Sequence, residues 1–173
     1  PDEVLRELPK NGGVVMITFV NSFVSAAAAR VTLPAWQEYQ RRSAGIEDAA
    51  GRERLWKEVF GKLDVPRATI GEVADHVEHV RKVAGVDHVG LGGDYDGNDS
   101  WPVGLEDVSG YPRLLAELVR RGWSDADLRK LAGGNVLRAL RAAEATARRL
   151  QRERPPSQAT IEQLDGPAAP LAP

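Results

Sequence analysis

The segment from His88 to Asn98, HVGLGGDYDGN, constrains the fold of this chain more than any other. A short apolar run breaks at two consecutive glycines and is followed by two carboxylates, Asp94 and Asp96, and then by Gly97. Glycine lets the backbone turn tightly or approach a ligand closely. In barrel folds, the catalytic groups lie at the carboxyl ends of the parallel strands. The segment therefore predicts a buried parallel strand that delivers an acid, Asp94, to a reaction site.

A second apolar run, VVMITFV from Val14 to Val20, predicts another strand, buried on both faces as in a parallel sheet. Helices are predicted from Pro34 onward, from Glu53 to Leu63, and from a capping box at Thr69 to about Ala84. This order of elements favours β/α units with parallel strands. Two parallel strands cannot close or cover a sheet alone. We therefore predict an α/β fold: the C-terminal portion of a (β/α)₈ TIM barrel, with two parallel strands plus several helices.

The domain organisation follows from composition along the chain. Residues 1–152 are predicted to form the barrel portion, and residues 153–173 a Pro-rich tail that is mostly extended or disordered. The chain has 173 residues and no cysteine, which excludes thiolate metal sites. Its net charge of −2 excludes a basic nucleic-acid-binding surface. No apolar run is long enough for a membrane segment. Localisation stays open, with the cytoplasm favoured by the absence of cysteine and of a visible signal segment.

Asp94 and Asp96 are the first candidates for chemistry. One carboxylate can act as a general base or hold a substrate ammonium group. The alternative is purely structural, because an Asx turn at Gly97 and Asn98 would also explain acids at this position. We favour a functional role for Asp94 and a loop-forming role for Asp96.

Two metal-binding interpretations match the sequence less well than a functional role for Asp94 without a metal. Asp94, Asp96 and Asn98 match the first ligands of a calcium loop, but Asp99 stands where that loop needs glycine and Leu105 where it needs glutamate. His76 and His79 are three residues apart on one helix face, yet no third ligand accompanies them. We interpret both histidines, and His88 at the entry of its strand, as structural.

Three stretches resemble the membrane (renal) dipeptidase family. The string VADHVEHVRKVAGVDHVGLGGDYDG is similar to the last helix–strand unit of that family, and GLEDVSGYPRLLAELVRRGWSDADLRKLAGGNVLRAL continues the match. GGVVMITFVNSFVS resembles the preceding strand and its loop, and the insert near residues 33–65 resembles bacterial members.

The resemblance implies a zinc-dependent dipeptidase with a binuclear metal centre in a (β/α)₈ barrel. It implies that Asp94 is the last-strand carboxylate that contacts the free amino end of a dipeptide and transfers protons. It also implies substrate-binding positions at Gly97 and at Phe23, where some relatives have a tyrosine. The family's zinc ligands precede the part that matches, so no metal ligand is assigned to this chain.

The sequence thus predicts a metallodipeptidase as the full-length protein, with this chain inactive alone. The expected partner is a dipeptide substrate. We expect no nucleic-acid partner and no membrane segment in this chain. A homodimer is a possible oligomeric state. The alternative function is a non-catalytic remnant or interaction module of the same fold.

Overall fold

The structure, a computed structural model, describes residues 1–166. The chain divides into two compact units, Pro1–Ala139 and Leu140–Pro173. In chain order the helices and strands are α1 (Asp2–Leu5), α2 (Leu8–Asn11), β1 (Val15–Ile17), α3 (Asn21–Val24), α4 (Ala26–Ser43), α5 (Ala49–Phe60), α6 (Ile70–Ala84), β2 (Val89–Leu91), α7 (Tyr111–Arg120), α8 (Asp125–Arg129), α9 (Asn135–Glu153) and α10 (Ile161–Asp165).

Strands β1 and β2 form a parallel two-stranded sheet in which Met16 lies opposite Gly90. Helix α6 packs against both strands, as a βαβ crossover requires. The core beneath them is apolar and contains Phe19, Val77 and Val89, each fully buried. The predicted α/β class with two parallel strands is confirmed.

Strand β1 differs from its prediction in length and in burial. The apolar run predicted a strand over Val14–Val20 with both faces covered, but only Val15–Ile17 pairs with β2. Ile17 is buried, whereas Met16, which points to the other face, is 39% exposed. The prediction of two buried faces was therefore wrong, because within residues 1–166 the helix that packs on this sheet covers the Ile17 side.

Helix α6 begins and ends where local sequence signals predict. The Glu72 backbone N–H donates to Thr69 Oγ1 at 3.2 Å, and the Thr69 N–H donates to the Glu72 carboxylate at 2.8 Å, which completes the capping box. The residues of its apolar face at Val73, Val77 and Val80 are buried against the core. The predicted bounds of this helix are confirmed.

Helix α4 begins eight residues earlier than predicted, at Ala26 rather than at Pro34. The alanine-rich sequence before Pro34 has high helix propensity, and the helix continues through the proline. Proline favours the first turn of a helix because it lacks the N–H that interior positions need. In α4 the high helix propensity of the residues before Pro34 outweighs the missing N–H of the proline.

The second unit is described over residues 140–166. It contains the C-terminal part of α9, with surface ion pairs such as Arg149 to Glu153 at 2.9 Å, and the exposed five-residue helix α10. Disorder of the tail stays a prediction, and its last residues, 167–173, lie outside the described part. None of the described helices is long and apolar enough to cross a membrane.

Candidate active site

Asp94 lies three residues after the end of β2, at the carboxyl end of the parallel sheet. Its φ of 58° is the only positive φ of a non-glycine residue in the described part of the chain. Asp tolerates this left-handed region better than most residues, and such conformations occur often at functional sites. The turn directs an exposed side chain away from the core. The acid predicted at the strand end is therefore located where a ligand could reach it.

Gly97 lies directly beneath this carboxylate. A Cβ atom at position 97 would lie 2.5 Å from Asp94 Oδ1, which is closer than real Cβ contacts allow. The Gly97 N–H also donates to the Asp94 backbone carbonyl at 3.3 Å and closes the turn. Gly97 thus leaves the space that the Asp94 side chain occupies.

Tyr95 anchors this turn from the inside. Its ring packs against Phe19 at 6.0 Å between centroids, and its hydroxyl donates to the Asp107 carbonyl at 3.0 Å. Burial raises the pKa of Tyr95 to about 12, so the phenol stays a neutral donor. A Cβ at Gly93 would lie 2.5 Å from the Tyr95 ring. The glycine before Asp94 therefore makes room for a protein side chain, and the ligand approach inferred from the glycine pair is not needed to explain it.

The segment after the turn is fixed by charge as well. Arg67 donates to Trp101 O at 2.8 Å, to Pro102 O at 3.1 Å and to Glu106 Oε1 at 2.6 Å. The Gly104 N–H and then the Arg67 guanidinium lower the pKa of Glu106 to about 2. An ion pair thus joins the α5–α6 linker to the segment that follows Asp94.

Asn21 is the polar residue that connects these parts, and sequence reasoning missed it. It is 3% exposed and lies at the start of α3, shortly after β1. Its amide nitrogen donates to Ser100 Oγ at 2.7 Å, and its carbonyl accepts from the Ala68 N–H at 2.9 Å. The signal was available, because a polar residue just after an apolar strand obeys the same rule that identified Asp94.

An open cleft of about 1040 Å³ contains the three predicted site residues Asp94, Gly97 and Phe23. One part of its wall is the loop of residues 94–100, which we call the acidic loop because Asp94, Asp96 and Asp99 all line the cleft. The bonds between side chain and backbone within this loop come from Asn98, which donates to Ser100 O at 2.6 Å and accepts from the Ser100 N–H at 3.4 Å.

The other part of the cleft wall is aromatic. Phe23, Trp36, Trp56 and Phe60 line it, and we call these four residues the aromatic wall. Trp56 and Phe60 stack with ring centroids 4.1 Å apart, and Trp36 packs against Trp56 at 5.2 Å. Phe23 is 67% exposed. A carboxylate-rich surface and an apolar surface thus lie in one cleft.

The histidines are located where a structural role predicts. His76 donates to Val24 O at 3.2 Å, His88 donates to Gly13 O at 2.8 Å, and His79 contacts Asp2 at 2.7 Å. The hydrogen bond with His79 lowers the pKa of Asp2. Within residues 1–166, no group of three or more His, Cys, Asp or Glu side chains could hold a metal ion. The residues described here therefore do not fit a metal centre by themselves.

The family model described as membrane dipeptidase, peptidase family M19, matches residues 1–154, and the chain therefore belongs to this family. The resemblance that the sequence showed is confirmed.

Solved structures share its fold. The probable dipeptidase PvdM from Pseudomonas aeruginosa matches with a TM-score of 0.61 and 24% identity, over 80% of this chain and 39% of that one. An amidohydrolase from Pseudomonas aeruginosa matches with a TM-score of 0.53 and 21% identity, over 81% of this chain and 39% of that one. The dipeptidase AC, a metallopeptidase of family M19, matches with a TM-score of 0.51 and 25% identity, over 78% and 29%. The chain thus spans 39% or less of the length of these proteins, and it matches part of their barrel fold, as predicted.

Proposed function

We propose that the full-length natural protein containing this chain hydrolyses the peptide bond of dipeptides, and that this chain supplies Asp94 and one side of the substrate cleft. The observation that carries the proposal is the position of Asp94, an exposed carboxylate on a left-handed turn at the carboxyl end of β2, in a family of dipeptidases. Asp94 is exposed and lines the cleft, so its carboxylate can accept a hydrogen bond from a ligand.

Asp94 has two roles in this proposal. A dipeptide carries a free ammonium group one residue from its scissile bond, and a carboxylate at that end neutralises its charge and fixes the position of the peptide carbonyl. Hydrolysis also requires that a proton leave the attacking water and reach the departing amine. A carboxylate placed at this end can accept that proton and return it.

We also propose that the protein is metal-dependent, with two zinc ions as the resemblance implies. When bound, such ions activate water and polarise the substrate carbonyl. No ligand for them is assigned to residues 1–166. The roles proposed for this chain therefore concern only substrate and protons, and the 173-residue chain alone is expected to be inactive.

The test is dipeptide hydrolysis by the full-length protein and by its Asp94→Asn variant. Replacing a positioned proton-transfer group should lower turnover by about 10²–10⁴-fold while leaving the zinc content unchanged. Asp96→Asn is the matched control, since it removes a neighbouring exposed carboxylate from the same loop, and it should retain most of the activity. Near-parental turnover in Asp94→Asn would refute the role of Asp94, and absence of hydrolysis in the parent would favour a non-catalytic module.

A further inference from the structure

The aromatic wall exposes apolar surface that the core does not require. Trp36 is 40% exposed, Trp56 36% and Phe23 67%, and all three line the cleft that contains Asp94. Tyr39 packs against the same cluster, at 5.5 Å from Trp56, but does not line the cleft. Trp36 and Trp56 thus pack α4 against α5 and also present ring surface to the cleft.

Charge in the cleft is distributed unevenly. The acidic loop contributes three carboxylates, whereas the aromatic wall adjoins Lys57, which is the residue after Trp56 and also lines the cleft. Lys57 pairs with Glu53 at 2.7 Å, and both side chains are well exposed. An exposed ion pair contributes little free energy, so a substrate carboxylate can exchange for Glu53 at low cost. The α5–α6 linker contributes Asp64 and Arg67 to the lining of the cleft. The Arg67 guanidinium already contacts Glu106.

A dipeptide has one orientation that satisfies these surfaces. Its ammonium end is attracted by the acidic loop, and its carboxylate end is repelled by the same loop. The C-terminal residue, which lies beyond the scissile bond from Asp94, is then directed toward the aromatic wall and Lys57. Aromatic rings pack well on apolar and aromatic side chains.

We infer that the aromatic wall makes the enzyme selective for dipeptides whose C-terminal residue has a bulky apolar side chain. This inference rests on the proposed dipeptidase function and adds the substrate class to it. Trp56, Trp36, Phe60 and Phe23 are specificity residues in this arrangement, and Asp94 acts on every dipeptide regardless of its side chains.

The experiment compares kcat/KM of the full-length protein for alanyl-phenylalanine, phenylalanyl-alanine and alanyl-alanine. The parent should prefer alanyl-phenylalanine to both of the others. In Trp56→Ala, the ratio of kcat/KM for alanyl-phenylalanine to that for alanyl-alanine should fall about tenfold, as expected when one apolar contact in a binding pocket is lost. Phe23→Ala should lower the same ratio, and it removes an exposed ring that the core does not need for folding.

Two variants separate selectivity from packing. Trp56→Phe keeps a ring in the wall and should retain most of the ratio, and Tyr39→Leu disturbs the cluster behind the wall and should leave the ratio unchanged. If alanyl-alanine is cleaved but the ratio is the same in the parent, Trp56→Ala and Phe23→Ala, the inference is wrong while the proposed function stands. An equal loss in Tyr39→Leu, or a parental preference for phenylalanyl-alanine, would also overturn it. Absence of any dipeptide hydrolysis would overturn both proposals.

Discussion

The two sides of the cleft are built by different kinds of interaction. The acidic loop is tied down by directional bonds: Asn21 donates to Ser100, and the loop's own Tyr95 hydroxyl donates to Asp107 O. Arg67 holds the residues that follow the loop, beginning with Trp101 O. Helices α4 and α5 contact each other through aromatic rings and a surface ion pair, in which one Arg42 nitrogen donates to both carboxylate oxygens of Glu58 at 2.9 Å. Hydrogen bonds fix a position closely, whereas ring packing tolerates small displacements. The proposed chemistry thus falls on the rigid side of the cleft and the proposed recognition on the adaptable side.

The largest effect is expected at Gly97, where an added Cβ atom would overlap the Asp94 carboxylate. Gly97→Ala should lower kcat of the full-length protein by about 10²-fold, because a methyl group at that position displaces the Asp94 carboxylate and a misplacement near 1 Å has about this cost. The atom that must move is the tip of a side chain, so the melting temperature should change little. Gly45→Ala, at a position where a Cβ meets no atom within 4 Å, is the control. Parental kcat in Gly97→Ala would show that the carboxylate position is not limiting.

The next effect concerns the buried bond that organises the acidic loop. Asn21→Ala should lower the free energy of unfolding by about 2 kcal/mol, because it leaves the buried Ala68 N–H without its acceptor. Urea denaturation measures this directly. Asn98→Ala removes an exposed bond in the same region and should change the free energy of unfolding by less than about 0.5 kcal/mol. Equal costs in the two variants would contradict the anchoring role of Asn21.

A smaller effect is expected on the aromatic side. Tyr39→Leu removes ring contacts to Trp36 at 6.0 Å and to Trp56 at 5.5 Å and should lower the free energy of unfolding by about 1 kcal/mol. The same urea titration gives the value. If this variant were less stable than Asn21→Ala, the contrast between a rigid polar side and an adaptable aromatic side would fail.

The smallest effect is the pH dependence of the segment after the acidic loop, through Glu106. The pKa of Glu106 falls from its ordinary 4.5 to about 2 in the folded chain. A carboxyl group with a lowered folded pKa adds stability above its unfolded pKa, and this contribution is lost as the pH falls from about 4.5 to about 2. Chemical shifts of the Gly104 amide should follow this titration, and Glu106→Gln should abolish that change. An unchanged Gly104 titration in the variant would assign the acid sensitivity to another group.

Features with local signals could be predicted from the sequence. The capping box at Thr69 and Glu72 lies within one helical turn, and it located the start of α6 correctly. The break after the β2 run identified Asp94 as the strand-end acid, because glycines and carboxylates directly after an apolar run are a local pattern. The parallel pairing of the two strands followed from the helix between them.

The remaining features depend on contacts between distant parts of the chain. Asn21 bonds to Ser100, 79 residues away, and to Ala68, 47 residues away. The aromatic wall brings together residues from α3, α4 and α5. The length of β1 depends on how much of it pairs with β2, which hydropathy does not encode. Tyr95 lies between two acids in the sequence, which gives no local sign of burial, and only the fold shows that its ring packs against Phe19.

The bonds of Asn21 also bear on the order in which the molecule assembles. Closing a long loop costs chain entropy before any contact forms, and contacts between distant residues are therefore made late in folding. Helix α6 can begin at its own cap, but the acidic loop acquires its geometry only after β1, the α5–α6 linker and Ser100 have met at Asn21. We therefore expect the helices to form before the acidic loop reaches its final geometry.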